Sequence, residues 1–310
     1  MEALLSVVVI YSFILLGFSA KKIFQKEIDE KSFILISIYF LQPILTFWGL
    51  TRTKIDYNLL FTPFIYFVVV TFTLILLMFV APLLFSNKKD RSIFMSTGLI
   101  GNTGNLAIPL GIALFGMASV PYTSIINIAN IFFIYTVGIF LLAREKYTLK
   151  ESLLSMIKIP ILWFAIFALV FNYYDFTILP QIDRALEMGS YSAIVLQLMI
   201  FGIYLAKVGF KIQNFKLTFS TTLVKLFIVP AVGIATVLLF ELDPFVASIL
   251  IVSLATPLAV NNVNLAALYE CKPLDVTSIV LFSTITFLLC FYFLLQVIQH
   301  FFGASFIGGI

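Results

Sequence analysis

The stretch GNTGNLAIPLG, residues 101 to 111, decides the fold because it places three glycines, two asparagines and a proline inside an otherwise apolar segment. A proline removes one amide donor from a helix, and glycine lowers the cost of leaving helical geometry. Within lipid, backbone freed from a helix is tolerated only where protein buries it or where it lines a wet cavity. The stretch therefore predicts a helix that breaks at mid-membrane around Gly101 and Gly104, with Pro109 as the first residue of a second half-helix.

The composition identifies the environment. The chain has 310 residues, of which 62% are hydrophobic and only 11% charged, and its mean hydropathy is +1.11. A soluble domain of this length carries far more charge. We therefore interpret residues 1–310 as a single polytopic membrane domain.

Ten apolar runs are long enough to span the hydrocarbon as helices, and we call them segments 1 to 10. They fall at about 4–20, 33–50, 60–85, 92–116, 121–143, 152–172, 187–205, 216–240, 246–269 and 275–300. The connections between them are short. The predicted fold class is an all-α integral membrane protein of ten transmembrane helices.

The basic residues predict the orientation. All but three of the 19 Lys and Arg residues lie in connections after odd-numbered segments or at adjoining segment starts, and the exceptions are Arg52, Lys54 and Arg184. Positive residues stay on the cytoplasmic side of the membrane. We expect a multi-pass protein of the cell membrane with both termini outside and the connection at 144–151 in the cytoplasm. The net charge of +4 then reflects topology, and no basic patch indicates a nucleic-acid partner.

A second interrupted helix favours an internal repeat. Segment 9 contains SLATPLAVNNVNLAALYE from residue 253, and its SLATPL aligns with NLAIPL at 105–110, so that Pro257 matches Pro109. Repeat 1 would cover about residues 1–143 and repeat 2 about 152–300, and five spans in each half make the two halves inverted. Paired interrupted segments in inverted repeats indicate the substrate site of secondary transporters. A packed structural kink is the alternative interpretation.

These residues resemble the auxin efflux carrier family, which includes plant PIN proteins and bacterial carriers of the malonate type. The resemblance covers the whole chain and is most specific at GNTGNLAIPLG and at TPLAVNNVNLAALYECKPLDVTSIV. It implies that segments 4 and 9 cross beside a substrate pocket, that one helix bundle moves like an elevator against a dimerising scaffold, and that small carboxylates are carried. It also implies that Asn102 is a pocket residue and that Pro109 and Pro257 are crossing prolines. The long cytoplasmic loop of the plant members is absent between segments 5 and 6.

The remaining polar residues within the segments are candidate substrate contacts. Buried amides must be hydrogen-bonded, either to a ligand or to freed backbone and neighbouring helices, and both duties stay open here. At least one of Asn261, Asn262 and Asn264 is expected to line the cavity. The predicted contacts are Gln42, Asn102, Asn105, Asn127, Asn130, Tyr135, Gln197 and Asn261, with Tyr204 as a weaker candidate.

Lys225 is the one charge that falls inside a segment. Its side chain either snorkels to the cytoplasmic surface, which its position slightly favours, or meets freed carbonyls of the crossing as a fixed stand-in for a bound cation. No Asp or Glu lies comparably deep. This pattern favours uniport, or Na⁺ coupling through amides and carbonyls, over proton antiport by a carboxylate.

The sequence indicates a transporter rather than an enzyme. His300 is the only histidine, Cys271 and Cys290 are predicted to be too far apart for a disulfide, and no metal site, cofactor or catalytic pair is expected. We expect a secondary transporter of small organic anions that works as a homodimer in the bilayer. The alternatives are a monovalent cation or proton antiporter of related fold, and a receptor or scaffold that does not transport.

Overall fold

The computed structural model describes residues 2–52, 55–143, 157, 160–207, 212–259, 261–304 and 306. The side chains of 2–11, Glu30 and Asn264 are outside this description, as are Lys54, Lys158 and the connection at 144–151. Of the described residues, 84% are helical, and they contain no strand beyond a single backbone bridge.

Every predicted segment contains helix. The unbroken segments have these bounds: Glu2–Phe24, Lys31–Leu50, Tyr57–Leu84, Met117–Leu142, Pro160–Tyr173, Pro180–Lys207, Phe215–Leu239 and Pro273–Phe302. Segment 4 consists of Lys88–Thr97 and Thr103–Phe115, and segment 9 of Pro244–Ala255 and Asn261–Leu268. Within the described residues, six helices are long and apolar enough to cross a membrane, namely segments 2, 3, 5, 7, 8 and 10.

Short polar side chains start several of these helices. Asp56 and Asn214 precede segments 3 and 8, and Asn87 and Asp243 precede segments 4 and 9. Each side chain accepts hydrogen bonds from backbone N–H groups of the first turn, which have no partner within the helix. Corresponding segments of the two halves therefore begin in the same way.

The helices pack as two groups. In the first, segment 7 contacts segments 1 and 2, and segment 2 contacts segment 6. Segments 1 and 7 approach so closely that a side chain at Gly17 would collide with the Met199 carbonyl oxygen, and one at Gly202 with the Ile14 carbonyl oxygen. Segments 3, 4, 5, 8, 9 and 10 form the second group around a buried apolar core. Both broken segments belong to this second group.

The break in segment 4 comes earlier than the proline predicts. Its first helix ends at Thr97, and a wide π-helical turn, Thr103–Ala107, starts the second half because the Asn102 carbonyl accepts from the N–H groups of both Leu106 and Ala107. Pro109 therefore lies inside the second half-helix, and its predicted role as the first residue there is wrong. A proline fits this place since it stands near the start of Ile108–Phe115.

Pro257 lies within the break of segment 9 itself. The first helix of the segment ends at Ala255, and the second begins at Asn261. The alignment of NLAIPL with SLATPL consequently pairs two prolines that occupy different places, one in a helix and one in a break. Gly101 marks the interruption of segment 4 more accurately than Pro109 does, whereas in segment 9 the interruption includes Pro257 and the extended Thr256, with ψ at 144°.

Candidate substrate cleft

The two breaks meet and satisfy each other's backbone. Gly101 and Leu258 form an antiparallel bridge, in which the Asn102 N–H donates to the Pro257 carbonyl at 2.9 Å and the Ala259 N–H to the Ile100 carbonyl at 3.4 Å. Because protein provides these partners, irregular backbone is tolerated at this depth.

Where the two breaks meet, residue 101 has to be a glycine because there is no room for a side chain. A Cβ atom there would lie 2.8 Å from both Lys225 Nζ and Thr256 Oγ1.

A cleft opens beside the paired breaks, between the two helix groups. Its empty volume is about 810 Å³, including the part open to solvent. Segments 2, 6 and 7 contribute mainly isoleucines, whereas segments 4, 5 and 9 contribute most of the amides. The lining residues are Ile34, Ser37, Ile38, Gln42, Gly101, Asn102, Thr103, Gly104, Asn105, Asn127, Asn130, Ile131, Ile134, Tyr135, Ile161, Ile200, Tyr204, Ala259 and Asn261, and no charged side chain is among them.

Asn130 organises the hydrogen bonds on the polar wall. Its Nδ2 donates to the Gly101 carbonyl at 3.1 Å and to Thr103 Oγ1 at 2.8 Å, while its Oδ1 accepts from the Tyr66 hydroxyl at 2.8 Å. The Thr103 hydroxyl donates onward to Asn127 Oδ1 at 2.9 Å. These four side chains form one continuous network that starts at the break.

The network fixes which atoms donate and which accept. A carbonyl can only accept, so the Gly101 carbonyl requires the Asn130 amide nitrogen beside it. Thr103 then accepts from Asn130 and must donate to Asn127, which turns the oxygen of Asn127 toward Thr103. The NH₂ group of Asn127 is left pointing away, and no partner for it is found in the described part of the chain.

Asn102 offers a second unused donor. The residue is 2% exposed, lies in the wall of the cleft, and its Nδ2 has no hydrogen-bond partner among the described residues. Leaving such a buried donor unpaired costs about 1–3 kcal/mol. The polar wall therefore presents amide donors that need an acceptor.

Most of the predicted polar residues come together in this cleft. Gln42, Asn102, Asn105, Asn127, Asn130, Tyr135 and Asn261 line it, with Gly101, Gly104 and the weaker candidate Tyr204. Their contact with a substrate stays a prediction. Asn262 instead serves the backbone, since its Nδ2 donates to the carbonyls of Ile100 and Ala259.

Gln197 does not line the cleft, contrary to expectation. It lies on the same face of segment 7 as Ile200 and Tyr204, but nearer the opposite membrane surface, and it is completely buried. Within the described residues, neither its side-chain nitrogen nor its oxygen has a hydrogen-bond partner. The similar depth of Gln42 and Gln197 in their segments therefore did not predict that both line the cleft, because Gln197 is not among the lining residues.

Lys225 faces the crossing, so the snorkelling interpretation is wrong. The side chain is 1% exposed, and its Nζ donates to the Leu254 carbonyl at 2.6 Å. Leu254 lies in the last turn of Pro244–Ala255, where carbonyls lack partners within the helix. Such carbonyls accept a hydrogen bond from the buried ammonium, and the carboxyl end of a helix stabilises a positive charge.

Two members of the network were not singled out from the sequence. Thr103 lies inside the stretch quoted above and could have been found there, because a hydroxyl between two predicted amides has few other partners. Tyr66 carries no such signal, since it lies on segment 3 in a run of mainly apolar residues.

The comparisons with known proteins agree with this architecture. The sequence profile of a family described as "Membrane transport protein" matches residues 1–295. No curated relative matches the chain in sequence. Since the match covers nearly the entire chain and the helices can span a bilayer several times, the chain is a multi-pass membrane transporter and belongs to the membrane transport protein family, that of the auxin efflux carriers.

Proposed function

We propose that the protein is a secondary transporter of small organic anions, chiefly carboxylates, and that the cleft beside the paired breaks is its binding site. One observation carries the proposal: the network from Gly101 through Asn130, Thr103 and Asn127 leaves amide donors on the wall of the cleft, and none of the described lining residues is charged. A carboxylate accepts several hydrogen bonds and donates none. Its chemistry therefore complements this wall.

The second half of segment 4 adds to the attraction. Thr103–Phe115 begins at the cleft, and its first amides have no partner within the helix. The start of a helix carries a partial positive charge worth at most about 2 kcal/mol in partly buried geometries. Each neutral hydrogen bond adds about 1 kcal/mol. We expect a total of roughly 4–8 kcal/mol, which corresponds to millimolar to micromolar affinity.

The position of the cleft supports alternating access. It lies between the group of segments 1, 2, 6 and 7 and the group that holds both breaks, so a displacement of one group against the other would move the site across the membrane. The lining residues lie toward the ends of segments 2, 5, 6 and 7 that carry Glu30, Ala143, Pro160 and Lys207. In the orientation expected from the basic residues, these ends are cytoplasmic and the cleft faces the cytoplasm.

Buried polar groups continue beyond the closed end of the cleft. Ser124 lies about one turn from Asn127 on segment 5, close to Gly49 of segment 2, and Gln197 continues the face of segment 7. Neither side chain has a hydrogen-bond partner in the part of the chain that the structure describes. Polar groups left unpaired at a contact between the two helix groups would be hydrated if the groups separated, which is what a path to the opposite surface requires.

The proposal includes the inverted arrangement of ten spans, five in each half. The paired helix starts of segments 3 and 8 and of segments 4 and 9 support it. Orientation is tested with Thr148→Cys in a chain that lacks Cys271 and Cys290. This thiol should resist an impermeant maleimide added to intact cells, and rapid labelling would reverse the orientation.

Ligand chemistry tests the function directly. The purified protein is heated with malonate, succinate or acetate and, as matched controls, with the corresponding uncharged amides. A ligand that binds the folded state raises the midpoint of unfolding in a concentration-dependent manner. We expect the acids to do so and the amides not to. Equal shifts for acid and amide, or none with any acid, would contradict an anion site.

A further inference from the structure

Lys225 is buried where the two breaks meet. It lies in the π-helical turn Val224–Ile228 of segment 8, and it is among the largest side chains that are fully buried. Within the described residues it forms no ion pair, and its Nζ donates a hydrogen bond to the Leu254 carbonyl. A charge without an ionic partner is expensive at this depth, so the burial of Lys225 at the crossing requires an explanation.

The atoms around the ammonium are those that bind a metal cation. The Leu254 carbonyl belongs to the carboxyl end of the first half of segment 9, where the helix dipole favours positive charge. The Thr256 hydroxyl oxygen and Lys225 Nζ both touch the point at which a Gly101 side chain would begin. In secondary transporters with broken helices, unwound carbonyls and half-helix carboxyl ends coordinate the coupling cation. Here a covalently attached ammonium takes that place.

We propose that Lys225 is a resident cation of the crossing, which holds the carboxyl end of the first half of segment 9 against the break of segment 4 and makes an exchangeable Na⁺ unnecessary. The expected coupling then changes: Na⁺ need not bind for the crossing to be assembled. The inference rests on the proposed transport only where activity is measured, since the stability of the crossing does not depend on any substrate.

The surrounding backbone explains why the charge serves both breaks. Gly101 separates the ammonium from the cleft, because this residue lines the cleft and would also contact Nζ if it carried a side chain. The positive charge therefore lies directly behind the wall that presents the amide donors. It contributes an attractive potential for an anion without forming a hydrogen bond to it.

Substitution separates charge from packing. Lys225→Arg keeps the charge, Lys225→Met keeps the approximate length, and Lys225→Ala leaves space for an ion. The control is Lys216→Met: Lys216 is also on segment 8 and donates to a helix-end carbonyl, that of Leu84 at 2.6 Å, but it is exposed and far from the breaks. Unfolding midpoints are measured without substrate in chloride salts of Na⁺, K⁺ or N-methylglucamine.

We expect the wild-type midpoint to be the same in all three salts, and Lys225→Arg and Lys216→Met to behave like wild type. Lys225→Met should unfold at a lower temperature, and Lys225→Ala should be stabilised selectively by a small cation. Malonate uptake into proteoliposomes should fall roughly tenfold or more in Lys225→Met, as expected when a hydrogen bond to a charged group is lost.

Three results would overturn the inference. They are a wild-type protein that requires Na⁺, equal effects of the Arg and Met variants, and an Ala variant that no cation stabilises more than it stabilises wild type. If malonate is not taken up at all, the proposed function fails, but the comparison of midpoints in the three salts still decides the role of Lys225.

Discussion

The two breaks at the centre of the protein are held in different ways. In segment 4, neutral side chains bind the freed backbone: the Asn130 amide reaches the Gly101 carbonyl, and Thr103 joins Asn130 to Asn127. In segment 9, neutral groups also bind freed backbone, since Asn262 donates to the Ala259 carbonyl and Ser283 Oγ accepts from the Leu258 N–H. A charged side chain is added there, because Lys225 donates to the Leu254 carbonyl. Segment 4, the neutral break, faces the cleft together with Ala259 and Asn261 of segment 9, whereas the Lys225 side chain lies behind the wall.

This difference assigns substrate binding to the neutral amides and support of the crossing to the buried charge. Neutral amides bind an anion weakly and release it, whereas an exposed lysine in the cleft would hold a carboxylate more tightly and slow its release. A charge behind the wall can support the crossing permanently without contacting the substrate. Each break therefore has the kind of support that its position allows.

Replacing Asn130 should have the largest effect on the neutral break. Asn130→Ala leaves the Tyr66 hydroxyl, the Gly101 carbonyl and Thr103 without their partner, and each unpaired buried group costs about 1–3 kcal/mol. Asn127→Ala removes only the bond from Thr103. We expect the midpoint of thermal unfolding to fall at least twice as far for Asn130→Ala as for Asn127→Ala. Equal losses would mean that the network does not centre on Asn130.

Adding a methyl group where the breaks meet should have the next largest effect. In Gly101→Ala the new Cβ would meet Lys225 Nζ and Thr256 Oγ1 at 2.8 Å, so the lysine could move away only by leaving the Leu254 carbonyl. Overpacking of this kind costs about 1–3 kcal/mol.

Gly104→Ala is the matched control. Its Cβ would approach Asn127 Oδ1 at 3.1 Å, a contact that a small side-chain shift relieves. Urea unfolding in detergent compares the two variants, and a Gly104→Ala protein as unstable as Gly101→Ala would remove the special role of the meeting point.

Two threonines give the smallest and most specific contrast. Thr103→Val removes a hydroxyl that accepts from Asn130 and donates to Asn127, so it should lower the free energy of unfolding by about 1–2 kcal/mol. Thr222→Val removes a buried hydroxyl that has no hydrogen-bond partner in the described part of the chain, and stability should stay the same or rise slightly. The same unfolding experiment measures both. Similar losses would show that the hydroxyl of Thr103 contributes shape and no hydrogen bonds.

Composition and periodicity predict the membrane class and the positions of the helices, because the hydrocarbon requires long apolar runs with satisfied backbone. Asparagines in such runs are expensive, and for this reason Asn127 and Asn130 could be predicted as candidates beside the break, while the family resemblance indicated Asn102. The sequence does not predict which group binds which, since the partners Tyr66 and Leu254 are far away along the chain.

Two of the three errors, those on Pro109 and Lys225, have a common origin. Pro109 was expected to open the second half-helix, and snorkelling of Lys225 was slightly favoured over contact with the crossing, because each residue was judged by its own segment alone. In the folded protein the neighbouring break supplies backbone acceptors. These acceptors change the most favourable position of the helix ends and of the Lys225 charge. Gly101 marks the place where segment 4 meets the other broken helix, and Pro257 marks it in segment 9.

The most direct measurement of the central claim is the affinity for a carboxylate when a negative charge is placed in the neutral break. Asn102→Asp converts an unused amide donor in the wall of the cleft into a carboxylate, which would occupy the region where the charge of the anion must lie. Asn87→Asp is the matched control, because it adds the same charge at an exposed helix cap that aspartate also satisfies. Calorimetric titration with malonate, or with the acid that gives the largest thermal shift, should show unchanged affinity for Asn87→Asp and no measurable binding for Asn102→Asp. An Asn102→Asp protein that binds the acid as well as wild type would show that the cleft at the paired breaks is not the anion site.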